Sequence, residues 1–122
     1  MLRVARIYEE ACERGDPPSC SHAGVILDNR NDPHGLELNI KACERGFVHA
    51  CFYAGLVYRQ GGTIPQSFRS AAEFFTKGCD GRDADACMEL ANAYALGQGV
   101  KKDRKRAHQI AKLAEAYGYR GE

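Results

Sequence analysis

The 122-residue sequence lacks a long hydrophobic run and lacks an excess of charge of either sign. No apolar stretch approaches the roughly 18–20 residues that a membrane-spanning helix needs, so we expect no transmembrane segment. Seventeen lysines and arginines stand against sixteen acidic residues, and the net charge is +1. A nucleic-acid-binding domain shows a strong basic excess, so nucleic acid is excluded as a partner. The length corresponds to a single domain.

Motifs for export and for cofactor chemistry are also missing. The first seven residues are followed at once by Tyr8-Glu9-Glu10, without the apolar core or cleavage site of a secretory signal. Either the chain never had such a signal or the signal has been removed. The sequence has no P-loop, no dinucleotide-binding fingerprint and no Cys-x-x-Cys-His haem attachment. We therefore expect no cofactor and no enzymatic activity.

Six cysteines set the sequence apart, because they form three pairs in which the members are eight residues apart. An even number of cysteines at regular spacing is typical of a disulfide framework. Zinc sites favour ligands two to four residues apart, so we expect no metal; free core thiols are the other alternative. A catalytic pair of Cys51 with His49 is less favoured than a bridged cysteine beside a surface histidine. The six are Cys12, Cys20, Cys43, Cys51, Cys79 and Cys87.

The cysteines mark an internal repeat. Residues 11–15 and 42–46 share the sequence Ala-Cys-Glu-Arg-Gly, and residues 78–81 are a variant of it. The first cysteines of the pairs lie 31 and then 36 residues apart, and a period in the thirties is typical of helix–turn–helix arrays.

Apolar residues three and four positions apart predict about seven helices. Gly15, Gly46 and Gly81 lie where helices would end, and Asp16-Pro17 and Asp32-Pro33 lie where helices would begin. The predicted helices are 2–14, 18–29, 34–45, 48–60, 67–79, 84–96 and 104–117. They predict one domain, 1–122, in which a lone helix 2–14 precedes repeats 18–47, 48–83 and 84–119.

Helix geometry indicates where the bridges lie. Residues eight apart on one helix are about 12 Å apart, whereas a disulfide needs Cα atoms closer than about 7 Å. A bridge within each pair therefore requires a turn between its cysteines. Each would join the end of one helix to the beginning of the next.

The segment from Ala95 to Asp103 has the sequence Ala-Leu-Gly-Gln-Gly-Val-Lys-Lys-Asp and is followed by Ala107. It resembles the Tyr-x-x-Gly-x-Gly-Val-x-x-Asp-x-x-Lys-Ala stretch of Sel1-like repeats, which are related to tetratricopeptide repeats. The paired cysteines resemble the cysteine-rich subset, found in bacterial Sel1 proteins and in mitochondrial cytochrome c oxidase assembly factors. The resemblance implies an all-α, right-handed α/α solenoid. The first repeat departs from it, with Asp28–Pro33 in place of the Gly-x-Gly-Val connection.

The resemblance also implies a protein–protein interaction scaffold, since such arrays present an extended concave surface to other proteins. By analogy with that class, the helix after each second cysteine lines the surface. The predicted partner-binding residues are His22, Tyr53, Leu56, Arg59, Glu89 and Asn92.

One cluster of basic residues follows the last Gly-x-Gly-Val connection. It is a candidate contact for an acidic protein patch or for anionic lipid headgroups at a membrane surface. The alternative is that these residues are simply exposed to solvent at the beginning of a helix that Asp103 caps. The cluster, called the basic patch below, consists of Lys101, Lys102, Arg104, Lys105 and Arg106.

Three disulfides would require an oxidising compartment. The mitochondrial intermembrane space admits cysteine-rich proteins without a cleaved presequence, so an assembly factor or accessory subunit of a respiratory complex is the first hypothesis. The second is a bacterial periplasmic or secreted protein that binds a host or envelope partner. A penicillin-interacting hydrolase is disfavoured, because Ser19, Ser21, Ser67 and Ser70 are not followed by Lys at Ser-x-x-Lys spacing.

Overall fold

The computed structural model of the protein describes residues 2–15, 19–20, 22, 24–25, 34–62 and 64–119. Within these ranges it contains helices and turns and no strand, as the sequence predicted. The described residues of the predicted helix 18–29 are helical, and the rest of that helix lies outside the described residues. The six helices with defined bounds are α1 (Leu2–Glu13), α2 (His34–Glu44), α3 (Val48–Gln60), α4 (Phe68–Asp80), α5 (Ala84–Leu96) and α6 (Arg104–Ala116).

The helices stack in sequence order. Each helix from α2 to α5 packs on the next one, and α3 also contacts α5, although α4 lies between them in the sequence. Two stacked hairpins, α3–α4 and α5–α6, produce this pattern, and the predicted α/α solenoid is confirmed. No helix in the described part of the chain has the length and apolar character to cross a bilayer.

Side-chain caps explain where three of the helices begin. Ser67 Oγ, Asp83 Oδ2 and Asp103 Oδ1 accept hydrogen bonds from backbone N–H groups three residues on, at 3.2, 3.0 and 3.0 Å. Each bond satisfies a donor that the first turn of a helix would otherwise leave unpaired. The predicted caps Asp16 and Asp32 lie outside the described residues.

Three disulfides join the cysteines in the predicted pairs. The Cα–Cα distances are 4.6 Å for Cys12–Cys20, 4.8 Å for Cys43–Cys51 and 4.4 Å for Cys79–Cys87. The second bridge links the end of α2 to the first turn of α3, and the third links α4 to α5 in the same way. All six side chains are buried, so the bridges form part of the hydrophobic core.

Small residues let the helices approach closely. A Cβ atom added to Gly55 of α3 would lie 2.4 Å from the Phe75 ring of α4, and one added to Gly78 would lie 2.5 Å from Ala86 Cβ. Alanines fill much of the remaining core. Close backbone packing at these glycines therefore fixes the orientation of α3, α4 and α5 independently of the side chains on the helix surface.

The arginine of the repeated Ala-Cys-Glu-Arg-Gly sequence has a structural role. Arg45 Nη1 donates a hydrogen bond to the carbonyl oxygen of Cys12, 33 residues earlier, at 3.1 Å. That oxygen belongs to the last turn of α1, where carbonyl groups lack helical partners. The contact ties the last turn of α1 to the end of α2.

Candidate functional site: one face of helices α3 and α5

Three of the predicted partner-binding residues contact one another. Arg59 Nη1 of α3 donates to Glu89 Oε2 of α5, and Asn92 Nδ2 donates to Glu89 Oε1 at 3.2 Å. The Arg59 guanidinium also lies 5.8 Å from the centroid of the Phe75 ring. The Arg59 and Glu89 side chains are only 32% and 16% exposed, so this pair is shielded from solvent. It fixes the relative positions of α3 and α5.

The other predicted residues of α3 are aromatic and aliphatic. Tyr53 is half-buried, and its ring meets His49 edge-on at 4.9 Å. Leu56 packs against the core formed by α4, α5 and α6. His22 is exposed, and its ring lies 5.0 Å from that of Tyr8 in α1. The role of all six in partner binding stays a prediction.

Four further residues of the same face were not predicted from the sequence. On α3 they are His49 and Phe52, and on α5 they are Asp85 and Met88. Positions 49, 52, 53 and 56 lie on one side of a helix, as do 85, 88, 89 and 92, because they are three and four residues apart. The predicted residues lie two or more positions after the second cysteine of each repeat. His49 and Asp85 precede that cysteine, and Phe52 and Met88 follow it directly, so these positions were not included.

A hydrogen bond between His49 and Asp83 joins the two helices at the other end of this face. His49 Nδ1 lies 2.8 Å from Asp83 Oδ1, while Asp83 Oδ2 caps α5. The hydrogen bond to Asp83 raises the pKa of His49 above the ordinary histidine value, against the opposing effect of partial burial. The negative charges of Asp83 and Asp85 add to the rise.

The raised pKa predicts a stability that falls with rising pH. Protonated His49 binds Asp83 more strongly than neutral His49 does, so the contribution is complete below the unfolded-state pKa, near 6.5. It disappears as the pH rises through the higher folded-state pKa. Because His49 is partly exposed, we expect less than about 1 kcal/mol. Urea unfolding of the protein and of His49→Gln at pH 5.5 and pH 8.5 measures the difference.

In His49→Gln the drop in unfolding free energy between the two pH values should shrink by that amount. His108→Gln on the exposed surface of α6 is the matched control and should retain the full drop. An equal drop in the protein and in both variants would contradict a role for His49.

One group of described residues could hold a metal ion. The ligand atoms of His49, Asp83 and Asp85 lie within 4.8 Å of one another. They could each offer one ligand to a divalent ion. The His49–Asp83 hydrogen bond and the cap on α5 account for the positions of His49 and Asp83. The absence of a metal stays a prediction.

The basic patch is exposed at the beginning of α6. Asp103 caps the helix through the Arg106 N–H, as the alternative interpretation of this cluster expected. The Arg106 guanidinium also lies 5.0 Å from the centroid of the Tyr94 ring, so part of its charge is used within the chain. Contact of the patch with a partner or a membrane surface stays a prediction.

The fold and this face define a class: a disulfide-bridged array of helical hairpins that presents side chains from alternate helices. The sequence profile of the Sel1 repeat matches residues 48–83 and 84–119. The chain belongs to the Sel1 repeat family.

Proteins similar to the chain agree with this family. The cytochrome c oxidase assembly factor 7 homolog of Drosophila melanogaster is 27% identical over 147 residues, covering 88% of this chain and 55% of that protein. The chain therefore spans about half the length of this relative. Helicobacter pylori cysteine rich protein B is 27% identical, with a TM-score of 0.79, over 97% of this chain and 88% of that one.

A Sel1 repeat protein from Oxalobacter formigenes superposes with a TM-score of 0.88 over 95% of this chain and 50% of that chain. Its 24% identity supports the fold alone.

Proposed function

We propose that the protein is a protein-interaction scaffold that uses the face of α3 and α5 defined above. The observation that carries the proposal is the continuity of this face across two successive repeats, from His49 and Asp85 to Arg59 and Asn92. Half-buried aromatic side chains beside fixed charges are typical of surfaces that bind proteins. The basic patch is proposed as a second contact, for an acidic protein patch or anionic headgroups.

We also propose that 1–122 is one domain with a lone first helix and three repeats. The profile matches at 48–83 and 84–119 support the second and third repeats.

The partner we propose is a mitochondrial respiratory complex, for which the chain would be an assembly factor or accessory subunit in the intermembrane space. Three disulfides support an oxidising compartment, and the assembly factor relative supports this one. The Helicobacter pylori relative favours the alternative, a periplasmic or secreted bacterial protein with an envelope or host partner, equally well.

Site-specific photo-crosslinking in cells of the native source tests the scaffold. A benzophenone amino acid replaces Tyr53 in one variant and Glu73, an exposed residue of α4, in the matched control. We expect a discrete adduct from position 53 that is absent from position 73. A respiratory-complex subunit in the adduct supports the mitochondrial proposal, and an envelope or host protein supports the alternative. The same adducts from both positions, or none from position 53, would contradict the use of this face.

A further inference from the structure

An open cavity of about 200 Å³ lies between α3, α5 and Tyr119, which lies beyond the end of α6. Phe52, Asp85, Met88, Glu89 and Tyr119 line it, and we call it the acidic cavity. Its lining combines two aromatic rings, a thioether and two carboxylates. Among the residues that the structure describes, no lysine or arginine contributes to it.

The chain already holds one arginine beside this cavity. Arg59 is bound by the Glu89 carboxylate and stacks over the Phe75 ring. Asp85 precedes Glu89 by one helical turn on α5, and the Phe52 ring lies 6.5 Å from that of Phe75. The Phe52–Asp85 pair therefore repeats the combination of ring and carboxylate one step along the same face.

Asp85 is the carboxylate that remains able to accept hydrogen bonds. Both Glu89 oxygens already accept bonds, from Arg59 and from Asn92. Within the described ranges the Asp85 side chain makes no hydrogen bond, and its negative charge acts on His49, whose Nδ1 is bound to Asp83. A cationic group in the cavity would meet a carboxylate whose oxygens accept no other hydrogen bond within the described ranges.

We propose that the acidic cavity binds an arginine side chain of a partner protein. This inference rests on the proposed scaffold function and names the chemistry of the partner. The guanidinium donates to the Asp85 carboxylate, and its flat face stacks on an aromatic ring of the lining, an arrangement that suits arginine better than lysine. The aliphatic part of the side chain packs on Met88. A cavity of roughly 150 Å³ holds a benzene molecule, so the available volume accommodates a guanidinium group.

Titration with a capped Gly-Arg-Gly peptide, followed by ¹⁵N-HSQC spectroscopy at low salt, tests the proposal. We expect saturable shifts at the amides of the cavity residues. The matching citrulline peptide, which has the same shape without the charge, should bind at least about tenfold more weakly because it loses charge-assisted bonds and the cation–π contact.

Two variants separate the cavity from unspecific attraction. Asp85→Asn and Phe52→Leu should each weaken binding of the arginine peptide by at least about fivefold, since each loses one of the two proposed contacts. Glu115→Gln, an exposed acidic position on α6, should leave binding unchanged. The dispersion of each spectrum shows whether the variant is folded, and two independent variants keep the test decisive if one is not.

Equal binding of the arginine and citrulline peptides, shifts outside the cavity, or an unchanged affinity in both variants would overturn the inference. If the arginine peptide fails while crosslinking at position 53 captures a partner, the inference is wrong and the scaffold function stands. If the peptide binds as described while position 53 gives no adduct, the cavity binds arginine, and the use of the α3–α5 face by a partner protein is wrong.

Discussion

Reduction of the three disulfides lowers the melting temperature of the protein by more than about 15 °C, since stability changes of several kcal/mol shift a domain of this size by that much. Each bridge closes a loop with a sequence separation of 8. The chain-entropy argument gives about 2–3 kcal/mol for such a loop. Three bridges therefore contribute a large part of the roughly 5–15 kcal/mol that stabilises a typical domain. Thermal unfolding followed by circular dichroism, with and without a phosphine reductant, measures the effect.

A variant with all six cysteines replaced by alanine is the control for this experiment. It should show the low melting temperature in both conditions, because the reductant has no bond to break. A melting temperature that the reductant leaves unchanged in the original protein would contradict the stabilising role of the bridges. It would also remove the main support for an oxidising compartment.

Substitution of Gly99 by alanine is expected to cost about 3 kcal/mol, the sum of backbone strain and overpacking. Gly99 has φ +77°, a conformation that side chains disfavour, and an added Cβ would lie 2.1 Å from the Phe68 carbonyl oxygen at the beginning of α4. Because that contact is with backbone, no side chain can move to relieve it. Gly99 is the second glycine of the Gly-x-Gly-Val connection, so this packing explains why the connection needs a glycine there.

The control for Gly99→Ala is Gly62→Ala. Gly62 has φ +100°, but nothing lies within 4 Å of an added Cβ, so only the backbone strain of about 1–2 kcal/mol is expected. Urea denaturation of both variants gives the two free energies of unfolding. Equal losses in the two variants would show that the contact with α4 has no energetic weight.

The helices could be predicted well because local signals determine them. The bounds predicted for the fourth and sixth of the seven helices, 48–60 and 84–96, are those of α3 and α5. Glycine follows each of these helices, and Asp83 caps the second. The disulfides followed from the same signals, since a turn between cysteines eight residues apart brings their Cα atoms within bonding range.

The contacts between helices were not predictable in the same way. Arg59 and Glu89 were each expected on a partner-binding surface, but they are bound to each other across 30 residues of sequence. His49 and Asp83 are 34 residues apart and belong to different hairpins. Such pairs depend on how one hairpin is stacked on the next, and Gly78 of α4 sets that distance through its close packing on Ala86 of α5. Helical periodicity alone gives no information about it.

The position of the bridges determines how the array opens. Cys79–Cys87 crosses the boundary between the two matched repeats, and Cys43–Cys51 enters the first of them from the preceding helix. In a solenoid with only non-covalent contacts, the repeats fray one by one from the ends. Covalent links across the boundaries suppress this fraying, so the bridged repeats exchange their amide hydrogens through a shared, cooperative opening. Helix α6 lies beyond the last bridge, and it alone among the helices from α2 onward keeps the freedom to open by itself.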